Sequence, residues 1–162
     1  MTRSALDRLL ELRRRREEKA LEALALRQGA HRRARHQAEE AESAASQHAA
    51  SSKDREHALM ASLLGKDISQ AALRRLQDNL DTMAIEQHEL KASAEAARKE
   101  LAERGKELQK AGKLYRDRRT DAEKLKELRD QEKAKTARHQ LVIGETIEED
   151  QTGLAAPRSR IL

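Results

Sequence analysis

Cysteine, tryptophan and phenylalanine are absent from this 162-residue chain, and tyrosine and proline occur once each. Without cysteine the chain has no disulfide, no thiol nucleophile and no thiolate zinc site. Only six residues are Val or Ile, which is too few to build a β-sheet. The large side chains that usually line a catalytic pocket are scarce as well. We therefore do not expect an enzyme.

Sites for metals, cofactors and membranes are not expected either. The six histidines never form the paired spacing of a helical zinc site, and the glycines do not form a phosphate-binding loop. No segment approaches the roughly 18 apolar residues of a membrane span, and no apolar signal segment opens the chain. The chain is expected to be cytosolic, or to be exported without a cleaved signal.

What the chain has in excess are helix-forming residues. Ala, Leu, Glu, Lys and Arg supply 104 of the 162 residues, a composition typical of coiled coils and long helices. The single proline, Pro157, lies close to the C-terminus, so no missing backbone donor interrupts a helix before it. The sequence predicts an all-α fold.

One break is predicted between two long helices. Gly65 can adopt the left-handed conformation that ends a helix, and Asp67 or Ser69 can cap the next one. Helix 1 is predicted over about 4–64, the turn over 65–69, and helix 2 over about 69–140. Because neither helix has an apolar face wide enough to be stable alone, the expected architecture is a long antiparallel coiled-coil hairpin over 1–140. Residues 141–162 have no helical period and are expected to form a flexible tail.

Helix 2 has the clearer apolar period. Steps of three and four residues from Leu73 to Leu125 give sixteen positions, of which thirteen are Leu, Met, Ala or Tyr. This is the repeat of a left-handed coiled coil. The three exceptions are Gln87, Arg104 and Arg118. They either fix the register of the two helices or extend outward at the edge of the seam, the line along which the two helices pack.

Helix 1 is less regular and contains an alanine-rich middle. Its leucines cluster near the two ends, and alanines at helical spacing fill the segment between them. Alanine favours the helix but buries little area, so we expect this segment to bend easily.

Charge is segregated along the chain. Residues 1–36 and 96–140 each carry a net charge of +6, whereas residues 37–95 carry −5. In an antiparallel hairpin the two basic segments lie side by side, which makes one end about +12 and the turn end acidic. Such a distribution can orient the protein against an acidic partner. The alternative is a solvated charged face whose arginines pair with neighbouring acids.

Two further patterns leave alternatives open. The leucine stripe that follows the turn either packs in the seam against Leu59 and Leu63, or is incompletely covered and forms a docking face. The basic residues could also bind nucleic acid. The interleaved acids, the lack of aromatic side chains for stacking and the absence of a recognition motif argue against a specific nucleic-acid partner.

Two segments resemble the YscO/FliJ family of type III secretion: LDRLLELRRRREEKALE, starting at Leu6, and YRDRRTDAEKLKEL, starting at Tyr115. The resemblance covers about residues 3–140 and includes the alanine-rich middle and the break near Gly65. The lack of aromatic residues and the short turn favour the virulence-associated injectisome branch over the flagellar branch.

The resemblance implies a non-enzymatic central stalk of the secretion apparatus. Family members are monomeric hairpins in the cytoplasm, at the inner-membrane apparatus. The end that holds both termini enters the ring of the hexameric export ATPase, and a patch on the second helix contacts the cytoplasmic ring of the export gate. Some members also bind secretion chaperones.

By this resemblance the ATPase contacts would be Arg13, Arg14, Arg15, Arg16, Arg116, Arg118, Arg119, Lys124 and Lys126. The export-gate contacts would be Leu76, Leu80, Met83 and Gln87. Two other functions remain open at this stage: a coiled-coil adaptor or scaffold with unrelated partners, and an RNA-associated or ribosome-associated coiled coil.

Overall fold

A computed structural model of the chain describes residues 4–154. These residues form two α-helices: α1 spans Ala5–Leu63 and α2 spans Gln70–Leu154. No strand occurs within residues 4–154. The predicted fold class, an all-α antiparallel hairpin, is confirmed.

The predicted turn lies between the helices, at residues 64–69. Gly65 has a φ of +75°, the left-handed conformation expected at the end of a helix. Ser69 caps α2, because its Oγ accepts a hydrogen bond of 3.2 Å from the backbone N–H of Ala72. Of the two candidate caps, Ser69 therefore performs this role.

The apolar repeat of α2 is confirmed over most of its length. From Leu76 to Leu125, every position of the three-and-four repeat is at least half-buried. Leu73 is the exception, since 53% of its surface is exposed and the neighbouring Ala72 is the half-buried residue. The first seam position next to the short turn is thus occupied by a methyl group instead of a leucine side chain.

The seam of α1 is more regular than its leucines indicate. Buried and half-buried residues recur by threes and fours through almost the whole helix, but several of them are polar, including Arg13, Glu17, His31 and His48. The 3.5-residue repeat is therefore present and is obscured by polar residues at seam positions.

Small side chains dominate the buried positions. Eight hydrophobic residues are buried, of which two are leucines, Leu10 and Leu125. The other six are alanines: Ala20, Ala34, Ala38, Ala45, Ala94 and Ala122. Alanine lets two helix backbones approach closely, but each methyl removes little apolar surface from water. The easy bending predicted for this segment stays a prediction.

The contacts divide the chain into two compact units. The terminal unit contains the described residues of 1–21 and 114–162, and the turn unit contains residues 22–113. Each unit pairs a segment of α1 with a segment of α2.

The predicted end of helix 2 at Gln140 is wrong, because α2 continues to Leu154. An apolar period reports which face of a helix is covered, whereas continuation of a helix needs only the absence of a breaking residue. No proline occurs before Pro157. The exposed side chains of Leu141, Val142, Ile143 and Ile147 explain why the pattern fails there without the helix ending. Residues 155–162 of the predicted tail lie outside the described residues.

Candidate functional site

The first candidate surface is the set of cations on the terminal unit. Arg13 on α1 forms an ion pair with Asp121 on α2, with 3.0 Å between Nη1 and Oδ2. Asp7 lies 3.5 Å from Lys133 and 3.8 Å from Arg129, so acids and bases of both helices alternate across the seam. Arg129 also donates hydrogen bonds to Asp130, which lowers the pKa of that carboxyl group. The structure thus brings together the two basic segments that the sequence singled out.

The nine predicted ATPase contacts differ in their exposure and in whether they already form ion pairs. Arg13 and Arg118 are half-buried on the seam. Arg15 and Arg119 are exposed but form ion pairs within their own helices, with Glu11 and Glu123. The other five are exposed and form no ion pair with any residue in 4–154: Arg14, Arg16, Arg116, Lys124 and Lys126.

Charge is distributed less simply than the linear count indicates. Residues 5–21 and 114–140, which form the paired part of the terminal unit, carry a net charge of +5. The last fourteen residues of α2, 141–154, contain four acids and no Lys or Arg. The expected charge of about +12 therefore does not describe this unit alone, because residues 22–36 and 96–113 belong to the turn unit.

The second candidate surface is the stripe of α2 near the turn. Leu76, Leu80 and Met83 are all half-buried, so seam packing removes part of each side chain from water. Grooves remain beside them. One of about 530 Å³ is walled by Leu59 and Met83, and another of about 350 Å³ exposes Leu80 and Met83 beside Ala49 and Ser52. The stripe therefore packs in the seam and is incompletely covered there, and its role as a docking face stays a prediction.

Gln87, the fourth residue of the predicted export-gate patch, forms contacts across the seam. Its Oε1 lies 2.7 Å from Nδ1 of His48, and its Nε2 donates a hydrogen bond of 3.3 Å to the carbonyl oxygen of Ala45. These contacts join one position on α2 to two positions on α1, His48 and Ala45. Gln87 therefore behaves as a register-fixing polar residue and does not extend outward.

His48 is the centre of this polar cluster. Its Nε2 lies 3.0 Å from Oε2 of Glu86, and only 17% of its side chain is exposed. Ser52 Oγ lies 3.3 Å from Nδ1. The hydrogen bond to Gln87 and then that to Glu86 raise the pKa of His48, while partial burial and the charge of Arg55 oppose them. Because both ring nitrogens face side-chain oxygens, the arrangement favours the doubly protonated imidazolium ring.

Arg104, the second polar residue on the seam, keeps its head at the edge. It pairs with Glu100 and Glu107 on its own helix, and these contacts raise its pKa. Glu107 in turn pairs across the seam with Arg27 at 2.8 Å. Arg98 and Glu42 form another ion pair between the helices. These exposed cross-helix pairs contribute little stability.

Sequence reasoning missed His48, Arg27 and Glu42 as contacts between the helices. A signal was available for two of them, since His48 and Arg27 lie on the three-and-four repeat that runs through α1 from Leu6. That repeat was obscured by the polar residues on it.

Metal and membrane features are absent from the described part of the chain. Within residues 4–154, no three His, Asp or Glu side chains are grouped as a metal site would require. Neither α1 nor α2, as far as they are described, contains an apolar stretch long enough to cross a bilayer.

Comparison with known proteins gives no assignment: no protein-family model, no curated protein and no solved structure matches this chain.

Proposed function

We propose that this protein is a non-enzymatic central stalk of a type III secretion system, which inserts into the hexameric export ATPase and links it to the export gate. The observation that carries the proposal is the terminal unit, in which the Arg13–Asp121 pair joins the two segments that resemble the YscO/FliJ family. Around that pair, five exposed cations form no ion pair with the described residues, so their charge is available to a partner.

The chemistry of these cations fits an acidic cavity. Guanidinium groups bind carboxylates through paired hydrogen bonds, and a group of free cations accelerates association with an acidic surface. Arg14 and Arg16 lie on α1 and Arg116 lies on α2, so both helices contribute to the contact. An element of two helices that presents charge from both of them can contact several subunits of a ring at once.

The direct test is a titration of the full chain into the purified export ATPase of the same secretion gene cluster, at physiological salt. Hydrolysis rate and hexamer mass are followed together. We expect saturable stimulation with about one chain per six ATPase subunits, as the resemblance implies. A folded chain that neither binds nor stimulates would contradict the proposal.

A charge-reversal variant tests the surface itself. Arg14→Glu, Arg16→Glu and Arg116→Glu together should abolish stimulation while helicity stays unchanged, since these side chains are exposed and form no ion pair with the described residues. The matched control reverses three exposed cations of the turn unit, Arg32, Arg33 and Lys110. Equal loss in both variants would show that net charge matters and the terminal unit does not.

The proposed gate contact is tested on the stripe near the turn. Leu80→Ala with Met83→Ala should weaken binding to the cytoplasmic ring of the export gate, because both side chains border the grooves beside the seam. Ile85→Ala is the control, since Ile85 lies on the same stretch of α2 but is 60% exposed and off the seam. Binding that is unaffected by the double variant, with stability lowered, would assign the stripe to packing alone.

Solution mass separates the stalk from the adaptor alternative. A monomeric hairpin has a mass of 18.4 kDa in solution. An adaptor built as a dimer of long helices has twice that mass. Light scattering at micromolar concentration distinguishes the two, and a stable dimer would favour the adaptor.

A further inference from the structure

We infer that the tip of the hairpin is a docking site for an anionic lipid surface, a property that goes beyond the proposed stalk function. The tip consists of residues 58–77, which include the end of α1, the turn and the start of α2. Two features coincide there: exposed aliphatic side chains and a local excess of positive charge.

Four large aliphatic side chains are exposed within these twenty residues. Leu64 is 78% exposed, and Met60, Ile68 and Leu73 are each about half exposed. Leu59, Leu63 and Leu76 are half-buried and close the seam beneath them. The exposed set is therefore additional to what the hairpin needs for its own packing.

The same residues reverse the charge of their surroundings. Residues 58–77 contain Lys66, Arg74 and Arg75 against one acid, Asp67, which gives a net charge of +2. The flanking segments 37–57 and 78–95 carry −3 and −4. Cations are thus concentrated where the apolar side chains are exposed, within an otherwise acidic stretch.

This combination matches the interface of an anionic bilayer. Aliphatic side chains enter the boundary between headgroups and acyl chains, while Lys and Arg contact the lipid phosphates. A second copy of the chain is a poor occupant, because two tips of charge +2 repel each other. A groove of about 530 Å³ reaches Ala58, Leu59 and Ser62 of the tip, but Met60, Leu64, Ile68 and Leu73 do not line it. These four side chains are exposed on the surface, where a deformable lipid layer can cover them.

The local backbone is suited to such an element. Gly65 provides the positive φ of the turn, and a Cβ added there would meet no atom within 4 Å. Ser69 caps α2 with its side-chain oxygen, and Ser62 donates a hydrogen bond of 2.7 Å to the carbonyl oxygen of Leu59. Leu64 and Ile68 lie on either side of Gly65, and both are exposed.

The absence of tryptophan makes the test specific. Leu64→Trp places a single indole at the tip of the full chain, and Leu26→Trp places one at a position of the turn unit that is similarly exposed, at 74%. With vesicles of phosphatidylcholine and 30% phosphatidylglycerol, we expect a blue shift and quenching by brominated acyl chains only for the indole at position 64. Pure phosphatidylcholine vesicles should give a much smaller response.

Neutralising the tip cations completes the test. In the Leu64→Trp background, Lys66→Gln, Arg74→Gln and Arg75→Gln should each lower vesicle affinity about fivefold. The matched control replaces Arg32, Lys110 and Lys113 by Gln, which should leave the affinity nearly unchanged. Equal responses at positions 26 and 64, equal losses in both charge sets, or no response to anionic vesicles would each overturn the inference. A blue shift without lipid would instead identify self-association and would also overturn it.

Discussion

At the scale of single residues, His48 is the group most constrained by the fold. The ring of an exposed histidine can adopt either neutral tautomer or the charged form. His48, in contrast, lies between Gln87 and Glu86, with an oxygen near each ring nitrogen. Losing the second proton leaves one nitrogen as an acceptor facing another acceptor. The seam of the turn unit is therefore held best when this ring is charged.

This arrangement predicts a pH dependence with a defined sign. The folded state raises the pKa of His48 above the unfolded value of about 6.5. Its contribution to stability is then fully present below about pH 6.5 and is lost as the pH rises through the higher folded pKa. We expect the difference in Tm between the wild type and His48→Gln to shrink as the pH rises from about 6.5 through the folded pKa of His48.

Titration of the imidazole by NMR measures the same effect directly. His48 should titrate above pH 6.5, and Glu86→Gln should move its pKa back toward that value, because the carboxylate no longer stabilises the cation. If His48 in the wild type titrates at or below the value of a free histidine, the charged-ring interpretation is wrong.

Replacement by alanine is expected to change the free energy of unfolding in opposite directions at two glycines, Gly65 and Gly105. Gly65→Ala should lower the free energy of unfolding by about 1 kcal/mol or somewhat more, because an alanine at a φ of +75° is strained even in open space. Gly105→Ala should raise it by about 0.5 to 1 kcal/mol, because the new Cβ would only make ordinary contact with the His31 ring, 3.9 Å away, inside a helix. Urea denaturation of both variants provides the measurement. Changes of the same sign would contradict the assignment of Gly65 as a helix terminator.

At the scale of elements, α2 differs from α1 in having a long exposed segment toward its C-terminal end. Every described side chain from Asp130 to Gly153 is exposed, apart from the half-buried Gly144. Because helix propagation adds one hydrogen bond for each residue fixed, α2 continues through exposed residues beyond the ion pair of Lys133 with Asp7. Its threonine hydroxyls donate to carbonyls one turn back, as that of Thr146 does to Val142, and so are satisfied within the helix.

Truncation after Gln140 tests whether this segment supports the rest of the molecule. Residues 141–154 make up about a tenth of the helical residues, so the helical circular dichroism signal should fall by about that fraction. The Tm of the remaining chain should stay within about one degree, since residues 141–153 are exposed apart from the half-buried Gly144. A large fall in Tm would reveal contacts that the described structure does not contain.

At the scale of the whole molecule, the distribution of charge matters more than its total of +5. Cations of the terminal unit and cations of the tip are separated in the sequence by acidic stretches. The two proposals assign each basic group to a different acidic partner. Interactions of this kind act mainly on the rate of association.

The stalk proposal accordingly predicts a strong dependence on salt. Association with the export ATPase should slow about tenfold or more between low and high ionic strength, because screening removes the long-range attraction. Arg14→Gln, Arg16→Gln and Arg116→Gln together should lower the association rate and flatten its salt dependence, with a smaller effect on dissociation. Stopped-flow measurements test this, and a rate that is independent of salt would contradict it.

Much of the fold could be predicted from the residues alone. The composition excluded sheets, Gly65 and Ser69 located the turn, and the repeat on α2 identified its buried face from Leu76 to Leu125. These features are local, since backbone conformation and helical period depend on residues a few positions apart.

The contacts of the candidate sites depended on the pairing of the two helices. His48 and Gln87 are 39 residues apart and lie at nearly equal distances from the turn, so the position of the turn gives their offset only approximately and not to the single residue that a hydrogen bond requires. The same holds for Arg13 with Asp121 and for Arg27 with Glu107. The end of α2 was predicted wrongly because the apolar pattern reports cover, and cover depends on where the partner helix begins. Helicity, the turn and one buried face follow from local chain chemistry, whereas register, charge pairing and exposed surface follow from which residues of one helix meet which residues of the other.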